Sequence, residues 1–519
     1  MAAALDLVAR DQLYSYLSGT SIPITEAGEL MDQSKLVLDL AHELSADFAA
    51  NYGHWALLDS YYRGQPPLPS DPKRLTRKFR ELHEMSRSNW CGLIVDVVSE
   101  RLKIGSIRSS ANAVQDKQAW QWWQANNMDG VSPQIHVAAL KYGLAYVSVW
   151  PARAGETAPR IVGEPPTGCI VRYDADTGKP LAALRIWQDN VRNCVNADLT
   201  MPGYQFHLTT NDTNLVDLAS PLIAVNSRVI TVDVSDVAWQ FRMDEVTPPV
   251  ERNPMGVVPY VAMLTQPDLL GGFASEIDGL TSIQDRINKT NFDRLMAQSF
   301  ASFPRAWITG VDVPTDANGK PKEPVDAAVD RLWTFTHPDT KVGQLDAAEL
   351  KGYLEANTAD VQALATQSRT PPSYLMAGMG IFPSGESVRA TEFGLTRKVE
   401  SRQQSYGDAW SNVLRLCGAA AGSKRHAKDL NLNVVWEDVE ARSESEQVDA
   451  LIKMGTLGVP WPALWQKWGA SPEEIEEWTR KLEESAVVAA KLAQSSAMPL
   501  AKDAAADVPP PISGSTSDA

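Results

Sequence analysis

Two short segments begin the pattern of a zinc-protease helix, and neither completes it. His42-Glu43 and His83-Glu84 each supply the first half of H-E-x-x-H, in which two histidines one turn apart bind zinc and the glutamate acts as a base. Ala46 and Arg87 stand where the second histidine is required. The other histidines and the four cysteines are dispersed through the chain. We therefore expect no metal site.

Glycine-rich segments could bind phosphate, but those in this chain depart from the patterns that do so. Gly378-Met379-Gly380 begins G-x-G-x-x-G, yet Pro383 occupies the third glycine position and no strand is predicted before it. Gly319-Lys320 lacks the preceding glycine and the following hydroxyl residue of a P-loop. The sequence contains no G-x-S-x-G turn for a nucleophilic serine. These absences predict a protein with no cofactor and no enzyme activity, and they disfavour the alternative of an enzyme of unknown type.

Net charge, apolar runs and cysteine content argue against further classes of protein. The 519 residues carry 48 Lys and Arg against 64 Asp and Glu, a formal charge of −16. Proteins that hold nucleic acid by charge present basic patches that replace counterions, so this acidity argues against tight, static DNA binding. No apolar run approaches the roughly 18 residues that cross a bilayer, so we expect no membrane partner. Four scattered cysteines suit a reducing compartment, and we expect assembly inside a cell.

Hydrophobic periodicity predicts the elements that must position any site, in an α+β arrangement. At roughly 100–200 residues per domain, the length allows two to four domains. Three prolines and three glycines predict an irregular loop over 369–387. Helices are predicted over 34–62, 89–102, 119–126, 132–142, 276–300, 347–368, about 387–417 and 444–492. Strands are predicted over 146–150, 169–173, 181–187, 204–209, 227–232, 238–242, 306–310 and 332–335, with a hairpin turn at 174–178.

One part of this order is unusual for a compact enzyme. A long helix is followed by a small β-rich excursion, a returning helix, the Pro/Gly loop and another helix. Two helices that flank a small excursion would project it from the body as a stalk. Projecting helices need neighbours to bury their apolar faces, which favours a subunit packed side by side in a ring. Trp461, Trp465 and Trp468 recur at i, i+4 and i+7, so we expect that helix face to pack in a core or a subunit interface.

Four segments, in a fixed order along most of the chain, carry a family resemblance. They are Tyr61-Tyr62-Arg63-Gly64, Ile94 to Leu102 with Gly105, Gln284 to Lys289 with Phe303-Pro304-Arg305, and Ser384 to Ala390 with Glu392. With these segments the chain resembles, over about residues 30–480, the portal proteins of tailed double-stranded DNA bacteriophages. The resemblance is greatest to portals of siphophages that infect actinobacteria.

The resemblance implies a portal fold assembled as a homo-oligomeric ring of twelve subunits at one capsid vertex of the virion. Such a ring is the channel for packaging and ejection of double-stranded DNA, without sequence preference, and the docking site for the terminase large subunit and the head–tail connector or adaptor. The other implied partners are the major capsid protein and the scaffold, with assembly in the host cytoplasm. The alternative is another virion structural protein, a head–tail adaptor or minor capsid protein, although adaptors are much shorter.

The resemblance also implies how the chain is divided. The parts are an N-terminal arm (1–25), a wing that is helical and then β-rich (26–270), a stem helix (271–300), a small α/β clip (301–346), a second stem helix (347–368), a tunnel loop (369–387), a wing helix (388–430), a helical C-terminal crown (431–495) and a disordered tail (496–519).

Individual residues take implied roles in the channel. Because cations in the lumen would hold each passing phosphate, we expect acids to line much of the lumen and some basic residues to lie between subunits. The clip residues Trp307 and Trp333 are expected to pack in the clip or against the neighbouring subunit. The implied stem residues of the lumen or the subunit interface are Asp285, Arg286, Lys289, Asp293 and Arg294. The tunnel-loop residues are Pro371, Pro372, Ser373, Tyr374, Met376, Gly378, Met379, Gly380, Ile381, Phe382, Ser384, Gly385 and Glu386.

Overall fold

Helices and strands both contribute to the fold, as the α+β prediction requires. A computed structural model describes residues 27–67, 77–110, 115–189, 192, 194–210, 238–243, 248–301, 306–309, 340–344, 350–375, 385–439, 444–470 and 472–496. The chain divides between Ala441 and Arg442 into two compact units.

The helices follow the long periodic segments of the sequence. The segment predicted over 276–300 becomes α-helical only at Thr281, because Asp278–Leu280 form a 3₁₀ turn. In the described residues the helices are α1 (Ala27–Tyr62), α2 (Arg77–Met85), α3 (Trp90–Ser99), α4 (Lys117–Ala125), α5 (Met128–Tyr142), α6 (Thr281–Ala301), α7 (Lys351–Ser368), α8 (Pro372–Leu375), α9 (Gly385–Ala420), α10 (Lys424–Lys428), α11 (Glu444–Thr456), α12 (Trp461–Trp468) and α13 (Pro472–Ser496).

The strands extend the predicted set and add members that lack a clear alternation. The strand predicted over 227–232 lies outside the described residues, and the one predicted over 238–242 is two residues long. The strands are β1 (Ile104–Arg108), β2 (Leu144–Trp150), β3 (Arg160–Glu164), β4 (Cys169–Tyr173), β5 (Pro180–Asp189), β6 (Cys194–Thr200), β7 (Tyr204–Thr210), β8 (Gln240–Phe241), β9 (Val250–Arg252), β10 (Tyr260–Leu264), β11 (Ala306–Thr309), β12 (Lys341–Gln344) and β13 (Asn433–Trp436).

Two antiparallel sheets form the centre of the first unit. The larger has the order β4-β5-β6-β7-β8, with β9 also paired to β7, and the smaller has the order β10-β2-β3. The predicted hairpin turn joins β4 to β5, and the Asp174 carboxylate organises it by accepting hydrogen bonds from the Asp176 and Thr177 amides. A third pairing, between β1 and β13, joins the N-terminal part of the unit to its last strand.

The core of this unit is built from two apolar clusters. In the first, α1 packs Leu40, Leu44 and Phe48 against the inner face of the larger sheet. In the second, α3, α4 and α5 pack against the smaller sheet and against α9, whose Trp410 is fully buried. Trp410 Nε1 donates to His136 Nε2 at 3.0 Å, so the indole of this core has a polar partner.

Two features of the first unit differ from the expectation drawn from the sequence. The Pro/Gly segment 369–387 is not irregular throughout, since Pro372–Leu375 form one helical turn and α9 already begins at Gly385. Proline is compatible with the first position of a helix, where its missing N–H has no partner in any case, so the early prolines do not prevent this turn. The crown boundary predicted at residue 431 falls inside the first unit, because β13 pairs with β1.

The second unit contains the predicted tryptophan face. Trp465 packs edge-on against Trp478 with ring centroids 5.5 Å apart, and Trp468 lies 6.2 Å from the same ring. The tryptophans of α12 therefore hold α13 within this unit. Trp461 and Trp468 nevertheless remain about half exposed.

Candidate functional site at the base of the stem helices

The two predicted stem helices, α6 and α7, form an antiparallel pair. Arg286 Nη2 lies 2.8 Å from Asp360 Oδ1, and Asn357 Nδ2 donates to Asn291 Oδ1 at 2.9 Å. Because the residue number rises along α6 as it falls along α7, the helices run in opposite directions. The strands that extend this pair, β11 and β12, are paired antiparallel as well. The helices are therefore antiparallel to each other, as are the strands, and the projection of this part as a stalk stays a prediction.

An apolar cluster fixes the base of this helix pair to the body. Ile283 and Ile287 of α6 pack with Val361 and Leu364 of α7 and with Ile94 of α3, and all of them are buried. Leu375, at the end of α8, belongs to the same cluster. The start of the predicted tunnel loop is thus tied to the hydrophobic base of the stem.

Polar contacts reinforce this base and explain the segment Gln284 to Lys289. Gln284 Oε1 accepts from the Trp90 amide at 3.1 Å, and Asn288 Oδ1 accepts from the Ser88 amide at 2.9 Å. The first amides of a helix have no intrahelical acceptor, so buried side chains from α6 satisfy amides at the start of α3. Asn89 caps the same helix by accepting from the Gly92 amide. Gln284 and Asn288 are therefore structural residues.

The charged residues predicted for the stem are partly engaged inside the subunit. Tyr61 Oη donates to Asp285 Oδ2 at 2.8 Å, and burial raises the pKa of both groups. Arg286 is paired with Asp360 as above, and Lys289 pairs with Asp293 one turn later at 2.9 Å. Asp285 and Arg286 thus connect α6 to α1 and α7.

The remaining predicted stem and clip residues are Arg294, Trp307 and Trp333. Arg294 is half-buried, and its Nε has no hydrogen-bond partner within the described part of the chain. In the clip, Trp307 lies on β11, with its backbone opposite Gly343 of β12. Trp333 lies outside the described residues. The lumen and subunit-interface roles of these residues stay predictions.

Arg101 joins the two ends of the predicted tunnel loop. Its Nη2 donates to Tyr374 Oη at 2.7 Å and lies 3.3 Å from Glu392 Oε1. The guanidinium also lies 5.9 Å from the centroid of the Tyr374 ring. Tyr374 is on α8 and Glu392 on α9, so one side chain from the end of α3 holds both flanks of the loop; we call these three residues the Arg101 bridge.

The predicted tunnel-loop residues lie partly on these flanking helices. Pro371, Pro372, Ser373 and Tyr374 lie at or within α8, and Gly385 and Glu386 form the first positions of α9. The others lie outside the described residues: Met376, Gly378, Met379, Gly380, Ile381, Phe382 and Ser384.

A buried ion-pair triad lies where the stem helices meet α9. The Glu276 carboxylate accepts from Lys398 Nζ at 3.1 Å and from Arg402 Nε at 2.6 Å. Lys398 also donates to the carbonyl of Ser368, the last residue of α7. Burial acts to raise the pKa of Glu276, but the two cations outweigh it and hold that pKa below its ordinary value. The triad joins the segment before α6, the end of α7 and the middle of α9.

The structure also brings together a serine, a histidine and an aspartate that sequence reasoning did not connect. Ser423 Oγ lies 2.7 Å from His426 Nδ1, and His426 Nε2 lies 3.2 Å from Asp116. Both His426 and Asp116 are buried, and the carboxylate already accepts from Ser109 Oγ and caps α4 through the Ala119 amide. Burial acts to raise the pKa of Asp116, but these hydrogen bonds and His426 lower it to about 2. The group is a structural clamp between α4 and α10.

The described part of the chain lacks a metal-binding cluster and a membrane-spanning helix. Among the described residues, no group of three or more His, Cys, Asp or Glu side chains is placed to hold a metal ion. Within those ranges, too, no helix has the length and apolar character needed to span a membrane. All four cysteines are free and buried.

Comparison with known proteins places the chain in a family. The family model for "Phage portal protein, SPP1 Gp6-like" matches residues 41–487. The portal protein of Mycobacterium phage D29 is 26% identical over 416 residues, which cover 76% of this chain and 79% of the relative. The portal protein of Mycobacterium phage L5 is 24% identical over 467 residues, covering 86% and 87%. The match includes the body, both stem helices and most of the second unit, and on this evidence the chain belongs to the SPP1 Gp6-like family of phage portal proteins.

Proposed function

We propose that this chain assembles into a ring of twelve subunits whose central channel carries double-stranded DNA into and out of the capsid. Portal proteins are structural components of the phage virion at a capsid vertex and are not enzymes, and membership of the family gives the chain that role. The ring, its subunit number and the assignment of its parts are the proposal.

The antiparallel stem pair is the observation that carries the proposal. Its two helices are fixed to the body at one end, by the apolar cluster around Ile287 and by the triad of Glu276, Lys398 and Arg402. Beyond this base, the ring of His83 on α2 lies 5.4 Å from the ring of Phe292 on α6, and a side-by-side ring would cover the flanks of the pair that remain exposed.

The proposed parts follow the described elements. The wing comprises 26–270 and the α9–α10 region, the stem α6 and α7, the clip 301–346, and the tunnel loop 369–387. We place the start of the crown at Arg442 instead of residue 431, since β13 is paired within the first unit. In this arrangement the Arg101 bridge sets the two flanks of the tunnel loop.

The charge of the chain suits a channel through which DNA slides. At −16 per subunit, acids outnumber cations, and a ring of such subunits would repel the duplex as a whole. The internal pairing of Arg286 with Asp360 and of Lys289 with Asp293 reduces the number of unpaired cations on the stem.

The proposed partners follow from this position in the virion. The terminase large subunit and the head–tail connector or adaptor would dock at the clip, and the major capsid protein and scaffold would surround the wing during assembly in the host cytoplasm.

Electron microscopy of the purified full-length chain tests the proposal. We expect rings with a central hole about as wide as a DNA duplex. Monomers at all concentrations, or closed particles with no hole, would contradict it. Native mass spectrometry of the same sample gives the number of subunits and so tests the twelvefold assignment separately.

A further inference from the structure

An exposed turn in the first unit presents two leucines entirely to solvent. The turn comprises residues 266–273, and we call it the leucine turn. Leu269 is 104% exposed and Leu270 is 98% exposed, so neither side chain is covered by its own chain. Single exposed apolar residues are ordinary on protein surfaces, whereas two adjacent leucines at the tip of one turn form a concentrated apolar contact.

The leucine turn is held in one conformation by hydrogen bonds within the turn, which involve the Asp268 carboxylate and the backbone. Asp268 Oδ1 accepts from the Leu270 amide at 2.8 Å and from the Gly272 amide at 2.7 Å. The Asp268 amide in turn donates to the Gly272 carbonyl at 2.9 Å. Gly271 has a φ of +82°, which favours glycine, and a Cβ at Gly272 would lie 2.4 Å from Asp268 Oδ2. The two leucines are therefore presented on a preorganised scaffold.

The base of the leucine turn is also held by hydrogen bonds, and these join it to the body of the unit. The Ala274 amide donates to the Thr265 carbonyl at 3.1 Å, and the Thr265 amide donates to the Gly143 carbonyl at 2.8 Å. Gly143 has a φ of +83°, and a Cβ there would come within about 3 Å of Phe273 and Ala274. Because little order remains to be gained on binding, an apolar contact at the tip loses little entropy when it forms.

A large groove in the same unit has an apolar lining that could receive the two leucines. It has a volume of about 980 Å³ and lies between the β4–β5 turn, β10 and the C-terminal part of α9. Its apolar lining includes Leu181, Val257 and Leu416, of which Val257 is 46% exposed. We call it the α9 groove. Since both leucines of the turn are fully exposed, they do not occupy the α9 groove of their own chain.

The charges around the two features have opposite signs. Lys179 and Arg415 line the α9 groove together with one acid, Asp174, which leaves a net positive charge. The leucine turn carries a single charged residue, Asp268. Opposite charges at the rim favour the correct docking orientation and disfavour like surfaces meeting.

We propose that the leucine turn of one subunit inserts into the α9 groove of the next subunit in the ring. The inference rests on the proposed ring, because a closed ring of identical subunits requires two different complementary surfaces on each chain. A protruding turn and a hollow on one chain meet that requirement, whereas neither surface is complementary to itself. The contact places the start of the stem, a few residues after the turn, beside the wing of the neighbour.

Disulfide trapping tests the contact directly. We expect the double variant Leu270→Cys/Ala419→Cys to form covalent multimers under mild oxidation, in steps of one subunit up to the full ring on a non-reducing gel. Each single variant should give no such ladder. The four native cysteines are buried and supply a silent background.

A variant that introduces charge at the tip of the leucine turn tests the same contact without a cross-link. Leu269→Asp/Leu270→Asp should raise the protein concentration needed for half-assembly by about tenfold or more, as loss of an apolar hot spot does. Leu430→Asp is the matched control, since Leu430 is 82% exposed and lies outside both surfaces. At protein concentrations too low for assembly, all variants should keep the wild-type melting temperature, because the changed side chains are exposed in the single chain.

The outcomes separate this contact from the ring itself. Wild-type rings with no cross-linked ladder, or rings of Leu269→Asp/Leu270→Asp that assemble like the Leu430→Asp control, overturn the contact and leave the ring in place. Absence of rings in the wild-type protein overturns the proposed ring and the contact with it.

Discussion

Replacement of Glu276 by glutamine tests the triad at the junction of stem and body. Glu276 is only 3% exposed, and its two oxygens neutralise Lys398 and Arg402, which are themselves buried. Glu276→Gln keeps the size and one hydrogen-bond acceptor but leaves two cations in the interior without a counter-charge. Breaking a buried ion pair from one side costs about 3–5 kcal/mol. We expect a loss near the lower end, about 3 kcal/mol, because Lys398 retains the Ser368 carbonyl.

The matched control is Glu400→Gln, the same change at an exposed ion pair on α9. Glu400 pairs with Arg397 at 2.8 Å, but both side chains are exposed, so the loss should stay below about 1 kcal/mol. The measurement is the free energy of unfolding of the first unit, followed by tryptophan fluorescence in denaturant. A second substitution, Glu276→Gln/Lys398→Met, removes one of the orphaned cations and should recover part of the loss. Equal stability of Glu276→Gln and Glu400→Gln would refute the reasoning.

The pH dependence gives an independent check on the same group. The Lys398 and Arg402 cations hold the pKa of Glu276 below its ordinary value when the chain is folded. Its contribution to stability is therefore present above the unfolded pKa and is lost as the pH falls through the lowered folded pKa. The variant Glu276→Gln should lack this acid-dependent part. An unchanged acid profile would show that Glu276 does not supply it.

Three further predictions concern the core, the bridge and the loop. Burial lowers the pKa of His136 to about 3, so between about pH 6.5 and 3 the unfolded chain binds a proton that the folded chain does not. The free energy of unfolding should therefore fall by up to about 1.4 kcal/mol for each pH unit of acidification in this range. His136→Gln should reduce this slope when unfolding is measured as a function of pH. Arg101→Met should speed amide hydrogen exchange over Ser373, Tyr374 and Leu375, measured by mass spectrometry. Protection equal to wild type would show that the Arg101 bridge does not hold α8. Replacing Gly378 and Gly380 by proline should lower the amount of nuclease-protected DNA in packaging assays, and unchanged packaging and genome retention would show that backbone freedom in the tunnel loop is not needed.

Long segments with helical periodicity were sufficient to predict the long helices of the fold. Helices α1, α6, α7 and α9 were predictable because their apolar residues recur at helical spacing over several turns. Strand β6 was not predicted, although Val195, Ala197 and Leu199 alternate with polar residues, because Asn and Asp are types that strands disfavour. Nearly all of its residues are buried, since β5 and β7 flank it in the sheet. The pairing of β1 with β13 joins residues more than three hundred positions apart, and no local pattern indicates it.

For the candidate site, too, the residue types could be identified from the sequence, but their partners in distant segments could not. Sequence reasoning identified the charged residues of α6, but the partner of Asp285 is Tyr61, 224 residues away. Arg101 was seen only as part of a family segment, since its contacts with Tyr374 and Glu392 require the folded chain. The burial of Gln284 and Asn288 likewise depends on the start of α3 meeting α6. A polar residue on a helix gives no signal of a partner that lies in another element.

The pairing of β1 with β13 also limits how early during synthesis the first unit can finish folding. Strand β1 begins at Ile104, but its partner is made only when synthesis has passed Trp436, so no shorter nascent chain can complete the body. The α9 groove, lined by residues up to Ala427, is finished at almost the same moment. A growing chain therefore carries the leucine turn long before it carries a surface that could receive it. Under the proposed contact, a chain can receive a neighbour only after most of it has been synthesised, so an incomplete chain cannot complete a closed ring.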